Sequence, residues 1–488
     1  MNVARLLERS ALCHADRTAL IAGGRRWTYR ELDAAASTLA GGLAALGLPP
    51  GERLAFHLPN GPEFVLAYYG AQKAGLVPLS LNVTYKAEEL EYIVRDAAAT
   101  GLITARSVSA NLPARDRLPS VRHWLEAEEL GTLRGAAPLR AVERDRGETA
   151  AILYTSATTG RPKGVMLTHA NIVSNSYATV HHLRMTPDDR GLCALPMFHC
   201  FGQNAIMNAL VAAGGTLVLH ERFVPDAFVS AVAAHRITIL YAVPTMYILF
   251  LAMERPVDFE SLRLCFSAAA SLPADVEQRW HDTHGHWIQQ GYGLTETSPF
   301  ASYNHEVAFR RGSVGTPIEN VEMKIVGADD REVADGALGE IAIKGPNVMK
   351  GYVGNPAATA EAIRDGWFHS GDIGYRDREG YFFLVDRVKD MINVSGFKVF
   401  PREVEEVLFR HAAVKEAAVV GVPDPVRGEA VKAFVVLNDG ARTTAEELRE
   451  LCRVAIAPVK VPETIEFIAA LPKNPTGKIL KKELRSRG

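Results

Sequence analysis

Residues 366–408, GWFHSGDIGYRDREGYFFLVDRVKDMINVSGFKVFPREVEEVL, contain the change of pattern that decides the fold. Up to Asp386 the segment continues a run, begun at Gly312, of short apolar stretches separated by polar, Gly-containing turns. This texture predicts a β-rich subdomain. After Asp386, MINVSGF predicts a strand, and PREVEEVLFRH predicts a helix with Val404 and Leu408 on one face.

The flanking regions extend this pattern into an α/β protein of two domains. Before about residue 300, β-rich runs such as ITILYAV alternate with helix-like segments such as LPADVEQRWHDTHG, which is typical of largely parallel sheets. Beyond residue 408, the runs AAVVGV and VKAFVVL and a helix beginning near Thr444 indicate a small α+β unit. We predict a large amino-terminal domain over residues 1–386, made of α/β subdomains plus the β-rich subdomain, and a small α+β domain over residues 387–488.

The overall composition excludes several classes of partner. The 54 Lys and Arg residues nearly balance the 56 Asp and Glu residues, giving a formal net charge of -2, so no nucleic-acid partner is predicted. The five cysteines are scattered and lack a C-x-x-C spacing, which indicates a reducing cytoplasm. Arg5, Glu8 and Arg9 interrupt the first apolar stretch, so neither an export signal nor a transmembrane segment is predicted.

A hydroxyl-rich loop follows the strand-like run AILY. The segment Tyr154–Gly164, YTSATTGRPKG, offers hydroxyls, backbone amides and one lysine, which together suit the oxygens of a polyphosphate. It lacks the spacing of the P-loop of nucleotide hydrolases. The candidate polyphosphate-binding residues are Thr155, Ser156, Ala157, Thr158, Thr159, Gly160 and Lys163.

Five blocks in a fixed order connect this loop to a known family. After the loop come ALPMFHCFG (194–202), GYGLTET (291–297), the segment 366–408 and NPTGKILKKELR (474–485). Together they resemble the adenylate-forming superfamily of acyl-CoA synthetases, luciferases and peptide-synthetase adenylation domains. VSGFKVFPREVEEVL looks closest to fatty and other acyl-CoA ligases. The resemblance implies an active site between the two domains and a mobile carboxy-terminal domain.

The resemblance assigns nucleotide and metal contacts residue by residue. Tyr292 is expected to stack on adenine, and Asp372 to accept hydrogen bonds from the ribose hydroxyls, with Arg387 beside it as a charged donor. Thr295 and Glu296 are expected to meet the phosphate and Mg²⁺, and one carboxylate with phosphate oxygens suits that ion. Further contacts are expected from Thr155 on the metal, and from Gly291, Gly293, Ala268, Ala269 and Ala270 on the nucleotide.

The same comparison assigns the catalytic and hinge positions. Lys478 is the expected adenylation lysine, because a flexible ammonium can neutralise developing charge and then leave with its domain. Lys389 is the expected hinge. The pantetheine arm of coenzyme A is expected against Gly396, Phe397 and Lys398, and the acid against His199, Phe201, Gln203 and Tyr247.

Two loops depart from the family. Ala157 and Ala268 stand where glycine is usual, and Ser271 stands where proline is common. If Ala157 needed a positive φ, its methyl group would cost about 1 to 2 kcal/mol. A sharper hypothesis follows, in which adenylation is impaired while a preformed acyl-AMP is still converted with CoA.

The predicted function is therefore an acyl-CoA ligase for a hydrophobic carboxylic acid. It would use Mg²⁺ with ATP or an acyl-AMP, and coenzyme A as co-substrate. One alternative is a stand-alone ligase that loads a carrier protein, and another is a sensor of adenylates. Retention of Glu296, Asp372, Arg387 and Lys478 argues against the sensor. A homodimer is compatible with the sequence.

Overall fold

The structure of the protein is a computed structural model that describes residues 1–133, 137–155, 161–253, 257–475 and 477–487. Helices and strands alternate over most of this length. The α-helices are α1 (Arg5–Cys13), α2 (Tyr29–Ala45), α3 (Pro62–Lys73), α4 (Ala87–Asp96), α5 (His169–His182), α6 (Ala209–Ala213), α7 (Pro225–His235), α8 (Pro244–Leu251), α9 (Ala274–His284), α10 (Pro356–Ala362), α11 (Pro401–Phe409), α12 (Ala445–Ala455) and α13 (Lys481–Arg485).

The strands range in length from two to eleven residues. They are β1 (Thr18–Ala22), β2 (Arg25–Thr28), β3 (Arg53–His57), β4 (Val77–Ser80), β5 (Gly101–Thr104), β6 (His123–Glu126), β7 (Thr149–Thr155), β8 (Lys163–Thr168), β9 (Arg190–Cys193), β10 (Thr216–Leu219), β11 (Ile239–Ala242), β12 (Leu264–Ser267), β13 (Ile288–Gly293), β14 (Phe300–Tyr303), β15 (Thr316–Pro317), β16 (Glu322–Val326), β17 (Gly339–Lys344), β18 (Gly351–Tyr352), β19 (Ile363–Arg364), β20 (Trp367–Arg376), β21 (Phe382–Arg387), β22 (Ile392–Val394), β23 (Phe397–Val399), β24 (Val414–Asp424), β25 (Gly428–Leu437) and β26 (Thr464–Phe467).

Local sequence fixes many of the helix starts. The side chains of Thr28, Thr168 and Thr444 accept hydrogen bonds from backbone amides three residues later, which satisfies donors that a helix amino terminus leaves free. Proline opens other helices, such as α8 and α11, where its missing N–H costs nothing. These signals lie within a few residues of the helices they begin.

Two large sheets form the amino-terminal region, and both are mainly parallel. The nine-stranded sheet has the order β15-β14-β13-β12-β11-β9-β10-β1-β2, and the seven-stranded sheet has the order β18-β8-β7-β4-β3-β5-β6. The central pairs of each are parallel. The edge pairs are antiparallel, except β5–β6 of the seven-stranded sheet, which is parallel. The carboxyl ends of β12 and β13 and the β7–β8 connection carry the predicted nucleotide loops. The predicted α/β architecture is confirmed.

The predicted β-rich subdomain is less self-contained than its sequence pattern suggests. β16, β17, β20, β19 and β21 do form a separate antiparallel sheet. However, β15 pairs with β14 of the nine-stranded sheet, and β18 pairs with β8 of the seven-stranded sheet. These two strands are two residues long, so their partners are decided by tertiary contacts and not by local periodicity.

The carboxy-terminal region has its own sheet, in the order β23-β22-β25-β24 with β26 beside β25. The single strand predicted over MINVSGF is wrong. Ser395 (φ 52°) and Gly396 (φ 86°) are both left-handed, and they form a two-residue hairpin connection between β22 and β23. The Ser-Gly dipeptide is itself a turn signal that the strand interpretation passed over.

The apolar cores separate along the chain. The buried cluster that fills the two large sheets extends to Phe382, whereas the clusters of the small region begin at Ile392. The prediction of a large amino-terminal domain and a smaller carboxy-terminal one is confirmed. The predicted boundary at residues 386 and 387 lies in the interval between the cores, and its exact position stays a prediction. Among the described residues, no helix is both long and apolar enough to cross a membrane.

Candidate active site

Tyr292, Asp372 and Arg387 form a buried polar cluster. The Tyr292 hydroxyl donates to Asp372 Oδ2 at 2.9 Å, and Arg387 Nε lies 2.9 Å from Asp372 Oδ1. Tyr292 and Asp372 are only 5% and 6% exposed. The cluster joins two sheets, because Tyr292 lies on β13 while Asp372 and Arg387 are register partners on β20 and β21.

Charge and burial set the ionisation of this cluster. The Asp372 carboxylate beside it raises the pKa of Arg387, so the guanidinium is held charged. Burial, reinforced by the same carboxylate, raises the pKa of Tyr292 well above its usual value, so its hydroxyl keeps its proton. An ionised carboxylate has about four lone-pair positions. Asp372 can therefore accept a ligand's hydroxyl hydrogen bonds as well as those of Tyr292 and Arg387.

Gly291 and Gly293 have packing reasons to be glycine. A Cβ on Gly291 would lie 2.3 Å from the Phe300 ring, and one on Gly293 would lie 1.7 Å from the Pro299 carbonyl oxygen. The segment after β13 therefore folds back directly onto itself. This close return places the turn Thr295–Thr297, and Glu296 within it, next to the end of β13.

Glu296 is the second buried carboxylate of the site. It is 8% exposed, and its Oε1 accepts a hydrogen bond of 3.1 Å from the Tyr352 hydroxyl. Burial raises its pKa, and the Tyr352 hydrogen bond opposes that rise. Tyr352 also offers its ring face to Lys163, whose Nζ lies 5.0 Å from the ring centroid.

The β7–β8 hairpin presents the predicted polyphosphate residues. Thr155 and Lys163 are register partners at the end of the ladder. A Cβ on Gly164 would lie 2.8 Å from the Tyr154 ring, so only glycine fits there. The Tyr154 hydroxyl is hydrogen-bonded to Asp96 of α4. Five predicted contacts, Ser156, Ala157, Thr158, Thr159 and Gly160, lie outside the described residues.

The chemistry of the donors fits a magnesium ion. Glu296 supplies carboxylate oxygens and Thr155 a hydroxyl, and Mg²⁺ prefers such hard oxygen ligands together with phosphate oxygens and water. A bound dication would also favour the ionised form of Glu296, whose pKa burial otherwise raises. Among the described residues, no cluster of three or more His, Cys, Asp or Glu could hold a metal ion by itself. Phosphate oxygens and water are the usual further ligands of Mg²⁺ in such a site.

Lys478 of the small domain is held against the large domain. Its turn is closed by a hydrogen bond from the Lys478 amide to Asn474 Oδ1 at 2.9 Å, and Gly477 has a φ of 79°. A Cβ on Gly477 would come within 3.0 Å of Thr245 Oγ1 at the start of α8. Burial, with the nearby positive charge of Arg387, lowers the pKa of Lys478 to about 8.

His199 of the large domain lies near Lys478. Burial, and then the charge of Lys478, lowers the pKa of His199 to about 4, so its ring is neutral. Its Nδ1 accepts a hydrogen bond of 3.2 Å from the Phe201 backbone amide. A neutral imidazole whose Nδ1 accepts must carry its proton on Nε2. His199 is thereby set up as a hydrogen-bond donor through Nε2.

The other predicted acid contacts are buried to different extents. Phe201 packs against the rings of Tyr241, Phe266 and Phe300 at centroid distances of 6.0 to 6.5 Å. Gln203 is fully buried and donates to Ser80 Oγ at 2.8 Å.

Tyr247 is enclosed in the core. Its ring packs at 4.8 Å from that of Trp280, and its hydroxyl donates to the Phe266 carbonyl at 3.1 Å. The structure thus gives Tyr247 a packing role, and its contact with the acid stays a prediction.

The loop after β12 differs from the sequence-based expectation. The residue with a left-handed backbone is Ala269, at φ 70°, and Ala268 is not among the positive-φ residues. The Ala268 backbone is therefore not left-handed, and its contact with the nucleotide stays a prediction. Ala269 is exposed and Ala270 is half-buried at the carboxyl end of β12, one strand away from Tyr292.

The candidate coenzyme A residues do not lie in the buried cluster. Gly396 lies in the β22–β23 hairpin turn, and Phe397 and Lys398 begin β23. This surface segment, in which Phe397 is 62% exposed, is called the Gly396–Lys398 turn below. A Cβ on Gly396 would meet nothing within 4 Å, so its positive φ, and not close packing, accounts for glycine in this arrangement. Lys389 is exposed in the short 3-10 turn Val388–Asp390, and Arg485 of α13 pairs with Asp390 at 2.7 Å.

Sequence reasoning missed Tyr352. Its signal is weak, since a tyrosine after a glycine in KGYVGNP resembles an ordinary loop. Only the pairing of β18 with β8 reveals that Tyr352 lies between Lys163 and Glu296.

Comparisons with known proteins cover nearly the whole chain. A family model described as "AMP-binding enzyme" matches residues 7–353, and one described as "AMP-binding enzyme C-terminal domain" matches residues 403–478. A feruloyl-CoA synthase of Amycolatopsis sp is 40% identical over 474 residues, which is 96% of each chain. A long-chain-fatty-acid–CoA ligase of Bacillus subtilis (strain 168) is 35% identical over 521 residues, covering 98% of this chain and 93% of its own.

Structural comparison agrees with these matches. The crystal structure of the anthranilate CoA ligase AuaEII in complex with anthranoyl-AMP superposes with a TM-score of 0.95 at 30% identity. The superposition covers 100% of this chain and 97% of that one. The similarity therefore includes both domains.

Proposed function

The chain belongs to the AMP-binding enzyme family, and from this premise we propose that it is an acyl-CoA ligase acting through an acyl-adenylate. The observation that carries the proposal is the convergence of four groups from two domains. Tyr292, Asp372 and Arg387 form one buried cluster, and Lys478 of the small domain is close enough for its pKa to respond to Arg387 and Asp372. This arrangement fits a site in which the cluster binds a nucleotide ester and Lys478 moves with the small domain.

In the first half-reaction, a carboxylate oxygen of the acid attacks the α-phosphorus of ATP. The bond from that phosphorus to the α,β-bridging oxygen breaks, and pyrophosphate leaves. Tyr292 and Asp372 hold the nucleoside, and the Lys478 ammonium stabilises the charge that develops on the α-phosphate. Glu296 and Thr155 would hold Mg²⁺, which supplies charge neutralisation to the departing pyrophosphate.

In the second half-reaction, the thiolate of coenzyme A attacks the acyl carbon of the adenylate. The carbon–oxygen bond to the phosphate breaks and AMP leaves. The Lys478 turn packs against the start of α8, and we propose that the small domain rotates to admit the thiol. We propose that the Gly396–Lys398 turn then faces the pantetheine arm and that Lys389 takes up the rotation.

The acid is proposed to be hydrophobic. Phe201 is 4% exposed and packs with other aromatic rings, while His199 can donate one hydrogen bond to the carboxylate of the acid. The names of the relatives refer to a feruloyl group, a long-chain fatty acid and anthranilate. All three are largely apolar.

A coupled assay tests the function directly. Purified protein with ATP, Mg²⁺, CoA and a panel of aromatic and fatty acids should release pyrophosphate and AMP and form acyl-CoA, identified by mass spectrometry. Formation of a thioester with a phosphopantetheinylated carrier protein, but not with CoA, would instead favour the carrier-loading alternative. Absence of both thioesters, and of any acyl-AMP, would contradict the proposal.

A second candidate is an enzyme that mainly performs the thioester-forming half. Ala157 and Ala268, which stand where the family usually has glycine, favour it, although the Ala268 backbone is not left-handed. Pyrophosphate release from ATP and acid is compared with CoA thioester formation from synthetic acyl-AMP. Fast pyrophosphate release by the unmodified enzyme would rule this candidate out, and an increase on Ala157→Gly would support it.

We propose a reducing compartment such as the cytoplasm, because all five cysteines are free thiols and four of them are buried. The assembly state, for which a homodimer is one candidate, is measured by light scattering.

A further inference from the structure

Tyr352 occupies a position between two parts of the site that are far apart in sequence. Its backbone belongs to β18, which pairs with β8 in the register Tyr352–Val165. The Met349 amide donates to the Glu296 carbonyl at 2.8 Å, and the Val353 amide donates to the Gly164 carbonyl at 2.8 Å. The segment 349–353 therefore connects the Glu296 turn to the polyphosphate hairpin.

The side chain of Tyr352 makes the same connection a second time. Its hydroxyl donates to Glu296 Oε1 at 3.1 Å, and its ring face lies 5.0 Å from Lys163 Nζ. Tyr352 is 8% exposed, so the ring has little freedom to move. A fixed ring with a carboxylate at its edge and an ammonium over its face controls the directions of both charged groups.

The two groups that Tyr352 touches are the ones that a metal–polyphosphate pair requires. A carboxylate binds the cation, and a mobile ammonium binds phosphate oxygens. The hydroxyl can bond only one oxygen of Glu296 at a time, which leaves lone pairs on the carboxylate for a cation. The ring attracts Lys163 through its π face, an interaction that leaves the ammonium's N–H donors available to a stronger anionic partner.

We propose that Tyr352 is a positioning residue for the metal and the polyphosphate. Its hydroxyl orients Glu296, and its ring holds Lys163 in place. This role rests on the proposed function. It predicts that Tyr352 matters for binding the triphosphate with its metal and not for binding AMP, because AMP is held by the separate cluster of Tyr292, Asp372 and Arg387.

The test is equilibrium binding. Calorimetry measures the affinities of the wild type, Tyr352→Phe and Tyr352→Leu for three ligands. These are AMP, α,β-methylene-ATP with Mg²⁺, and the same analogue without metal. Electron paramagnetic resonance measures the affinity of each protein for Mn²⁺ in the presence of the analogue. The matched control is Tyr381→Phe, whose hydroxyl donates to the Ala308 carbonyl outside the site.

Tyr352→Phe keeps the ring and should weaken metal-dependent analogue binding about tenfold, the size expected for one hydrogen bond to a charged group. Its Mn²⁺ affinity should fall in parallel. Tyr352→Leu should additionally weaken binding of the analogue without metal, since Lys163 loses its ring. AMP affinity should stay within about twofold in both variants and in Tyr381→Phe, a difference too small to signal a lost hydrogen bond.

Equal losses for AMP and for the metal–analogue complex would mean that Tyr352 acts only through general packing, which overturns the inference. Unchanged metal-dependent binding in Tyr352→Phe would also overturn it. If Tyr352→Leu fails to fold, Tyr352→Phe alone still decides, because AMP binding reports its folded fraction. A wild-type protein that binds neither AMP nor the metal–analogue complex would contradict the proposed function itself.

Discussion

At the scale of single residues, the charge on Lys478 depends on burial. Its pKa is lowered to about 8, so the ammonium is fully present below that pH and is lost as the pH rises through it. The kcat/KM for pyrophosphate release should therefore fall about tenfold per pH unit above pH 8. Stopped-flow detection of pyrophosphate across pH 6.5 to 10 measures this limb.

Two variants assign that limb to Lys478. Lys478→Ala should slow pyrophosphate release about 100-fold or more, while thioester formation from acyl-AMP is largely kept. Lys478→Arg keeps its charge throughout this range, so any remaining activity should lack the alkaline limb. A limb that persists unchanged in Lys478→Arg would assign it to a different group.

Asp372 is a second residue whose charge has a measurable consequence. Asp372→Asn removes the anion that pairs with Arg387 and accepts from Tyr292. We expect AMP affinity to fall about tenfold or more, because charge-assisted hydrogen bonds contribute roughly 1.5 to 3 kcal/mol. Calorimetry with AMP measures the loss.

The control for Asp372 is a more exposed pair of the same type. Asp335 pairs with Arg376 at 2.7 Å, with side chains 36% and 30% exposed. Asp335→Asn should leave AMP affinity unchanged, since exposed ion pairs contribute about 1 kcal/mol or less and this one lies outside the cluster. Equal effects of the two substitutions would contradict the role given to Asp372.

At the scale of elements, the return of the chain after β13 has no room for a side chain. Gly293→Ala would bring a methyl carbon to 1.7 Å from the Pro299 carbonyl oxygen, so the backbone has to move. We expect the free energy of unfolding to fall by about 3 kcal/mol, the upper part of the usual range for overpacking. Urea denaturation measures the fall, and AMP binding should weaken with it because Tyr292 is adjacent.

Gly147→Ala is the matched control for this element. Its added carbon would lie 3.3 Å from Asp145 Oδ1, the end of a flexible side chain. The unfolding free energy should change by about 0.5 kcal/mol or less, as for most surface substitutions. A loss as large as that of Gly293→Ala would show that the 293–299 contact is not the cause.

At the scale of the whole molecule, the Lys478 turn and the Gly396–Lys398 turn belong to one small domain but lie in different surroundings. The first lies against α8 of the large domain and the second is on the surface. In the proposed function, adenylation uses the Lys478 turn and thioester formation uses the Gly396–Lys398 turn. The small domain would then rotate about the 388–390 segment between the two half-reactions. Lys389→Pro tests this, because proline fixes φ near the value that the present 3-10 turn already has.

Lys389→Pro should keep pyrophosphate release and slow thioester formation from acyl-AMP on the order of tenfold or more. Separate assays of the two half-reactions measure the split. Lys389→Ala, which removes the side chain but leaves φ free, should not produce it. Equal slowing of both half-reactions by Lys389→Pro would argue against a hinge at this position.

Structural features that depend on neighbouring residues can be predicted from the sequence better than contacts between distant residues. The helix starts at Thr28 and Thr444 and the class of fold follow from neighbouring residues. In contrast, β15 and β18 leave the β-rich segment for other sheets, and their partners are not encoded by two residues of pattern. The left-handed conformation at Ala269, and not at Ala268, likewise depends on how the loop closes.

The sequence by itself determined the two-domain α/β class and the order of the candidate motifs, because hydrophobic periodicity and turn chemistry act between near neighbours. Only the tertiary structure decided that Asp372 lies against Tyr292, that Tyr352 reaches Glu296, and that the Lys478 turn packs on the large domain. These contacts join residues from about 50 to more than 200 positions apart in the chain. Strand pairing and domain packing set such contacts, and both depend on the whole core being formed at once.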